Sequence, residues 1–206
     1  GWAVLLLCIG VCGAPALADR PYVVRASGEK VVGAAVRAND TGEILLTTDR
    51  GVTITFPPGT RAVVARPSAL DRALQLMQAG SHRRAVPVLE DLVEEYRYLG
   101  WDREALRLLA RAHAKQDNHA DAVQAYERLF TMLPTARSDG EDLLRYLKAV
   151  EGTGDADKLA QESEKAIEDG PRECAAWAQL ARARTHRAAG DVKAALIDYL
   201  RTAFFF

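Results

Sequence analysis

The C-terminal two-thirds of the chain carries apolar residues at helical spacing, interrupted at intervals by glycine or proline. Leu106, Leu109 and Ala110, for example, fall on one side of a helix, because residues three and four apart share a face. Strong helix formers fill the stretches between the breaks. The pattern predicts helices over residues 69–79, 82–96, 102–116, 119–132, 139–151, 156–168, 172–188 and 191–205.

Residues 19–66 show a different pattern, in which short β-branched runs are separated by turn sequences. Thr53 and Thr55 alternate with apolar residues, which is typical of a strand with one face in water. Because five short strands can cover a core only by curling, we expect a small barrel, and in strand number and size the region resembles an SH3-like or Sm-like barrel. The predicted strands lie within residues 22–25, 30–36, 43–48, 52–56 and 62–64.

Pro67 marks the boundary between the β region and the helical region, which we place at residues 68–206. Ser68, with Asp71 three residues later, matches a capping box and predicts the start of the first helix. The expected fold is therefore α+β by segment and mainly α.

The predicted helices repeat with a period of about 37 residues. Pro134 and Pro171 lie 37 residues apart, each after a helical segment. Such a period indicates supersecondary units that bury their apolar faces only against their neighbours. Small or apolar residues recur at steps of 37, 37 and 36 near the start of alternate helices, at Ala85, Ala122, Leu159 and Ala195.

The helix pairs resemble the tetratricopeptide repeat (TPR), which places Leu and a small residue on the first helix and Ala, an aromatic residue and Pro on the second. In the second repeat, Leu109 and Ala110 match the first helix, and Ala122, Tyr126 and Pro134 match the second. The resemblance implies an α-solenoid of about four helix pairs, with a related helical-hairpin solenoid as the alternative. The fourth repeat keeps the spacing at Ala183, Ala195 and Tyr199.

Residues 1–18 carry no charge, are strongly apolar, and end in Ala16-Leu17-Ala18 before Asp19. An apolar core followed by an A-x-A site is typical of a secretory signal peptide. A membrane anchor is the alternative, although the apolar run is shorter than the ~20 residues that a span needs. We therefore predict export to the periplasm or cell envelope of a bacterium, with no stable membrane span after cleavage.

The two ends of the chain suggest a fragment. There is no initial Met or basic segment before the apolar run, and the apolar end at 202–206 falls inside the fourth repeat, without a polar cap. We expect truncation at both ends.

Composition and motifs argue against several functions. The chain is 49% hydrophobic and 27% charged with a net charge of −1, so it lacks the basic excess expected of a nucleic-acid-binding protein. After cleavage of the signal peptide, Cys174 is the only cysteine left in the sequence. It lies in an Ala-rich predicted helix, so we expect it to be buried rather than paired with a cysteine of another molecule. There is no P-loop and no nucleophile elbow. We therefore predict no catalytic residue and no cofactor. No i, i+4 pair of the kind that binds a metal on a helix exists among His82, His113, His119 and His186, so we predict no metal site either.

The TPR resemblance implies that the first helix of each pair lines a concave face. Arg107, Arg111 and Lys115 lie one turn apart and would form a basic stripe there. Such a groove favours acidic peptide segments through charge-assisted hydrogen bonds, whereas a merely solvated helix face is the alternative. The basic residues placed on this face are Arg107, Arg111, Lys115, Lys148, Arg184 and Arg187.

The function expected from these features is a non-catalytic scaffold for protein–protein interaction in the cell envelope, with another protein or an acidic peptide segment as partner. Two alternatives remain. The β region could bind envelope glycan or peptidoglycan, or the chain could be an accessory subunit or domain of a larger enzyme or assembly.

Export is expected to cleave the chain after Ala18, because the A-x-A site ends there. Mass spectrometry of the mature protein should find Asp19 at the N-terminus. An intact segment from Gly1 onward, recovered in the membrane fraction, would contradict this prediction.

Overall fold

The computed structural model describes residues 20–206. These residues form two compact units, 20–65 and Arg66–Phe206. The predicted signal peptide, residues 1–18, lies outside the described residues. We describe each unit by itself.

The first unit is built from six short strands in two antiparallel sheets of three. One sheet has the strand order β2-β1-β6 and the other β3-β4-β5. Val23, Ile44, Leu46 and Phe56 are buried and form the apolar interior of this unit. The strands are β1 (Tyr22–Val24), β2 (Lys30–Val32), β3 (Ala35–Ala38), β4 (Ile44–Thr47), β5 (Thr53–Phe56) and β6 (Arg61–Val63).

The predicted closed barrel is wrong for the part of the chain that the structure describes, because no strand pairing joins the two sheets. The single strand predicted over 30–36 breaks at Gly33, where a Cβ would lie 2.7 Å from the carbonyl oxygen of Thr47. The N–H of Gly33 donates to the carbonyl oxygen of Pro21, and the N–H of Ala34 donates to that of Thr47. The chain therefore passes from one sheet to the other at this glycine.

The second unit contains eight α-helices, all within the described residues. Their ends fall within two residues of the predicted ones, which confirms that the chain is mainly helical. A short 3₁₀ helix over Pro134–Ser138 follows the fourth α-helix. The helices are α1 (Ser68–Gln78), α2 (His82–Glu95), α3 (Trp101–Ala114), α4 (His119–Met132), α5 (Gly140–Thr153), α6 (Ala156–Asp169), α7 (Arg172–Ala188) and α8 (Val192–Phe205).

The start of α1 differs from the predicted capping box. Pro67 occupies the N-cap position and its side chain makes no capping hydrogen bond. Asp71 instead accepts a hydrogen bond from Nε of Arg66 at 2.8 Å. The carbonyl oxygen of Pro67 accepts the N–H of Leu70 at 3.0 Å, and this backbone hydrogen bond begins the helix.

Each helix packs mainly against the helices that precede and follow it in the sequence. Ala110 of α3 and Ala122 of α4 are fully buried, as are Ala183 of α7 and, nearly so, Ala195 of α8. Small side chains at these positions let neighbouring helices approach closely. The 37-residue period seen in the sequence therefore coincides with a period of buried small residues.

The contact between α7 and α8 includes a buried carboxylate. Asp198 accepts hydrogen bonds from Nε2 of Gln179 at 2.6 Å and from Nε and Nη2 of Arg182 at 2.8 and 2.9 Å. Burial by itself would raise the pKa of Asp198, but the hydrogen bond and charge of Arg182 outweigh it and lower the pKa. The outer side of α8 is apolar and exposed, at Val192, Leu196, Leu200 and Phe204.

Cys174 is fully buried in α7, as predicted, and its Sγ lies 3.2 Å from the carbonyl oxygen of Gly140. Burial raises the pKa of the Cys174 thiol, which keeps it in its unreactive neutral form. Within residues 20–206, no helix is both long and apolar enough to cross a lipid bilayer.

Replacing Ala122 by Leu is expected to lower the free energy of unfolding by about 1–3 kcal/mol, because the larger side chain overpacks the α3–α4 contact. Ala120→Leu, on the exposed side of the same helix, is the matched control and should change it by less than about 0.5 kcal/mol. Chemical denaturation of both variants provides the measurement. Equal stabilities for the two variants would show that Ala122 does not lie at a tight crossing.

Candidate functional site

Helices α1, α3 and α5 line an open groove of about 840 Å³, to which α2 contributes His82 and α4 contributes His119 and Tyr126. It is larger than a single side-chain pocket, and its volume falls in the range of small-molecule and short-peptide sites. Leu74 and Met77 come from α1, Leu108 from α3 and Leu144 from α5, so the floor is apolar. The amphipathic pattern places these residues on the inner side of each helix.

Tyr126 of α4 forms part of the groove lining and is anchored in an aromatic cluster behind it. Its ring centroid lies 6.1 Å from that of Phe130 and 6.4 Å from that of Tyr146. Burial raises the pKa of Tyr126, and the positive charges of Arg145 and Arg111 oppose that rise. The phenol is therefore neutral at physiological pH, and two guanidinium groups lie close enough to influence it.

The rim of the groove is basic. Arg111 and Lys115 of α3 and Lys148 of α5 line it, and all three side chains are exposed. Within residues 20–206, none of the three has a carboxylate at ion-pair distance, whereas Arg145 pairs with Glu141 one turn before it. The rim thus carries positive charge that the described residues do not neutralise.

The six basic residues predicted from the sequence separate into two groups. Arg111, Lys115 and Lys148 line the groove, whereas Arg107, Arg184 and Arg187 do not. Nε of Arg107 donates to Asp142 of α5 at 2.6 Å, and Nη2 of Arg184 donates to Glu151 at 3.0 Å.

The Arg107–Asp142 pair is partly withdrawn from solvent, since the Asp142 side chain is only 8% exposed. Burial alone would lower the pKa of Arg107, but the hydrogen bond and charge of Asp142 raise it. Arg184 also lies over the ring of Trp177, with 5.8 Å between the guanidinium carbon and the ring centroid. Arg107 therefore joins α3 to α5, and Arg184 joins α7 to α5. Arg187 is exposed on α7, away from the groove.

Sequence reasoning missed several groove residues. Arg145 is not among the six predicted basic residues, although it lies one turn before Lys148 on the same face of α5. His82 and His119 also line the groove, and the repeat contained the signal for them, because they are 37 residues apart. In the part of the chain that the structure describes, no three His, Cys, Asp or Glu side chains come together as a metal site would require.

Removal of Arg107 should destabilise the helical unit without affecting the groove. Arg107→Ala leaves the buried carboxylate of Asp142 without its partner, and we expect a loss of about 1–3 kcal/mol in the free energy of unfolding. Arg111→Ala, one turn further along α3, is the control and should change it by less than about 0.5 kcal/mol. Urea denaturation measures both, and a larger loss for Arg111→Ala would contradict this division of the stripe.

No protein-family model matches the chain. No curated protein is similar enough to it to indicate a relationship.

Proposed function

We propose that this protein is a non-catalytic scaffold for protein–protein interaction, and that the groove of α1, α3 and α5 binds an acidic peptide segment of a partner. The observation that carries the proposal is the combination of an apolar floor with the unneutralised cations of Arg111, Lys115 and Lys148. A segment that presents carboxylates beside apolar side chains would complement both features at once.

The two kinds of lining would contribute differently to binding. Carboxylates would form charge-assisted hydrogen bonds with the rim, which orient the segment and accelerate its association. Because the rim is exposed, salt would screen these contacts. Apolar side chains would be removed from water against Leu108, Leu144 and Tyr126, and this part of the free energy of binding is insensitive to salt.

We further propose that the helical unit is a TPR-like solenoid. Two features support the proposal: helices that pack mainly against their sequence neighbours, and small buried residues at Ala85, Ala122 and Ala195. The position of the groove also fits, since first helices form the concave face in that family. The sequence of residues 1–18 supports a place in the periplasm or cell envelope of a bacterium.

Charge reversal in the groove tests the proposal with a defined probe, a fluorescent peptide of alternating Glu and Leu. We expect the wild-type protein to bind this peptide but not its Lys-Leu counterpart. The double variant Arg111→Glu/Lys115→Glu should weaken binding by about tenfold or more, because it replaces attraction by repulsion at the rim. The salt dependence of the remaining binding should also be smaller. Fluorescence anisotropy measures both effects.

The matched control is Arg187→Glu/Lys193→Glu, which makes the same change in net charge at exposed residues outside the groove lining. It should bind the Glu-Leu peptide as the wild-type protein does. Equal weakening by both double variants would mean that net charge alone attracts the peptide, and the groove would lose its role.

A further inference from the structure

The groove contains two histidines at equivalent positions of the repeat. His82 is the first residue of α2 and His119 the first residue of α4, 37 residues later. Both line the groove. The equivalent first residues of α6 and α8 are Ala156 and Val192, so the histidines occupy this position in the first two of the four helix pairs.

The structure fixes the position of the His119 ring. A Cβ on Gly152 of α5 would lie 2.5–2.6 Å from three ring atoms, so the ring packs directly on the backbone there. Its Nε2 is 3.9 Å from a carboxylate oxygen of Asp117. Nδ1 of each groove histidine is buried without a hydrogen-bond partner among residues 20–206. No described protein group therefore fixes the protonation state of either ring at that nitrogen.

The charged groups around the two rings are mostly cationic. Helix α3 contributes Arg111 and Lys115, and α5 contributes Arg145 and Lys148. The nearby carboxylates are Glu141, which pairs with Arg145, and Asp117 beside His119. Helix α1 faces the groove with the neutral side chains Leu74, Met77 and Gln78. Next to His82 on its own helix are Arg83 and Arg84, both exposed.

We propose that the groove takes up protons together with its acidic ligand, because His82 and His119 become cations when carboxylates enter. The proposal rests on the proposed function of the groove and adds its regulation by pH. The two imidazolium groups would add cations from α2 and α4 to those of Arg111, Lys115 and Lys148.

The sign of the effect follows from the charges. In the free groove the two rings share their lining with Arg111, Lys115 and Lys148, and each ring stands at the N-terminus of its own helix. A bound carboxylate reverses the local charge and favours the protonated ring. Since histidine side chains change charge between about pH 5 and 8, ligand affinity should rise as the pH falls through that interval. At higher pH both rings are neutral and this gain is lost.

The test measures the affinity of the Glu-Leu peptide between about pH 8 and about pH 5.5, where its carboxylates remain ionised. Wild-type affinity should increase about tenfold over this interval, which corresponds to a factor of about three for each ring. The variant His82→Gln/His119→Gln keeps neutral polar side chains, and the ratio of its affinities at the two pH values should be about one, whatever its affinity at the upper pH. His186→Gln, which removes a histidine outside the groove lining, is the control and should retain the increase.

A second measurement does not depend on variants that could lose stability. In the wild-type protein, NMR titration of the imidazole resonances should show the midpoints of His82 and His119 moving to higher pH when the peptide saturates the groove. The midpoint of His186 should not move.

The outcomes separate the two proposals. Binding of the peptide with the same affinity at both pH values, or an increase that survives His82→Gln/His119→Gln, overturns the proton uptake and leaves the groove as the binding site. Absence of binding by the wild type at every pH overturns the proposed function of the groove, and the proton uptake with it.

Discussion

Close approach of neighbouring helices is the constraint on which the rest of the helical unit depends. It requires a small buried side chain at the start of the second helix in three of the four pairs, at Ala85, Ala122 and Ala195. In the third pair Leu159 takes this position and is still buried. The spacing of the helices fixes the width of the groove between α1, α3 and α5, and it determines which basic residues face one another across that groove.

Two basic residues of α3 that lie one helical turn apart have different surroundings. Arg107 reaches Asp142 on α5 and fastens the two helices, whereas Arg111 reaches no carboxylate of the described residues and stays available at the rim. Similar links join the second helices, where Glu94 pairs with Arg128 and Glu127 pairs with Lys158. Ion pairs between helix pairs therefore involve part of the basic residues, while Arg111, Lys115 and Lys148 remain without a carboxylate partner among the described residues.

The sequence predicts the helices well because their ends coincide with glycine, proline and capping residues, which act locally. Asp139, for instance, accepts the N–H groups of Glu141 and Asp142 and starts α5. The β unit was predicted less well, because the break at Gly33 results from contact with Thr47, a residue distant in sequence. The same reason explains the incomplete prediction of the groove, since the partners of Arg107 and Arg184 lie on other helices and helical periodicity does not reveal them.

The buried carboxylate of Asp198 provides a polar attachment of α8 to α7. Of the residues of α8, all of which the structure describes, Ala195 and Asp198 are the buried ones, whereas α3 and α4 each bury several large apolar side chains. Helix α8 is therefore attached less by apolar burial than by the hydrogen bonds of Asp198 with Gln179 and Arg182. Segments with few buried apolar contacts exchange their amide hydrogens through low-energy local opening. Local opening of α8 is therefore expected to cost less free energy than opening of α3 or α4.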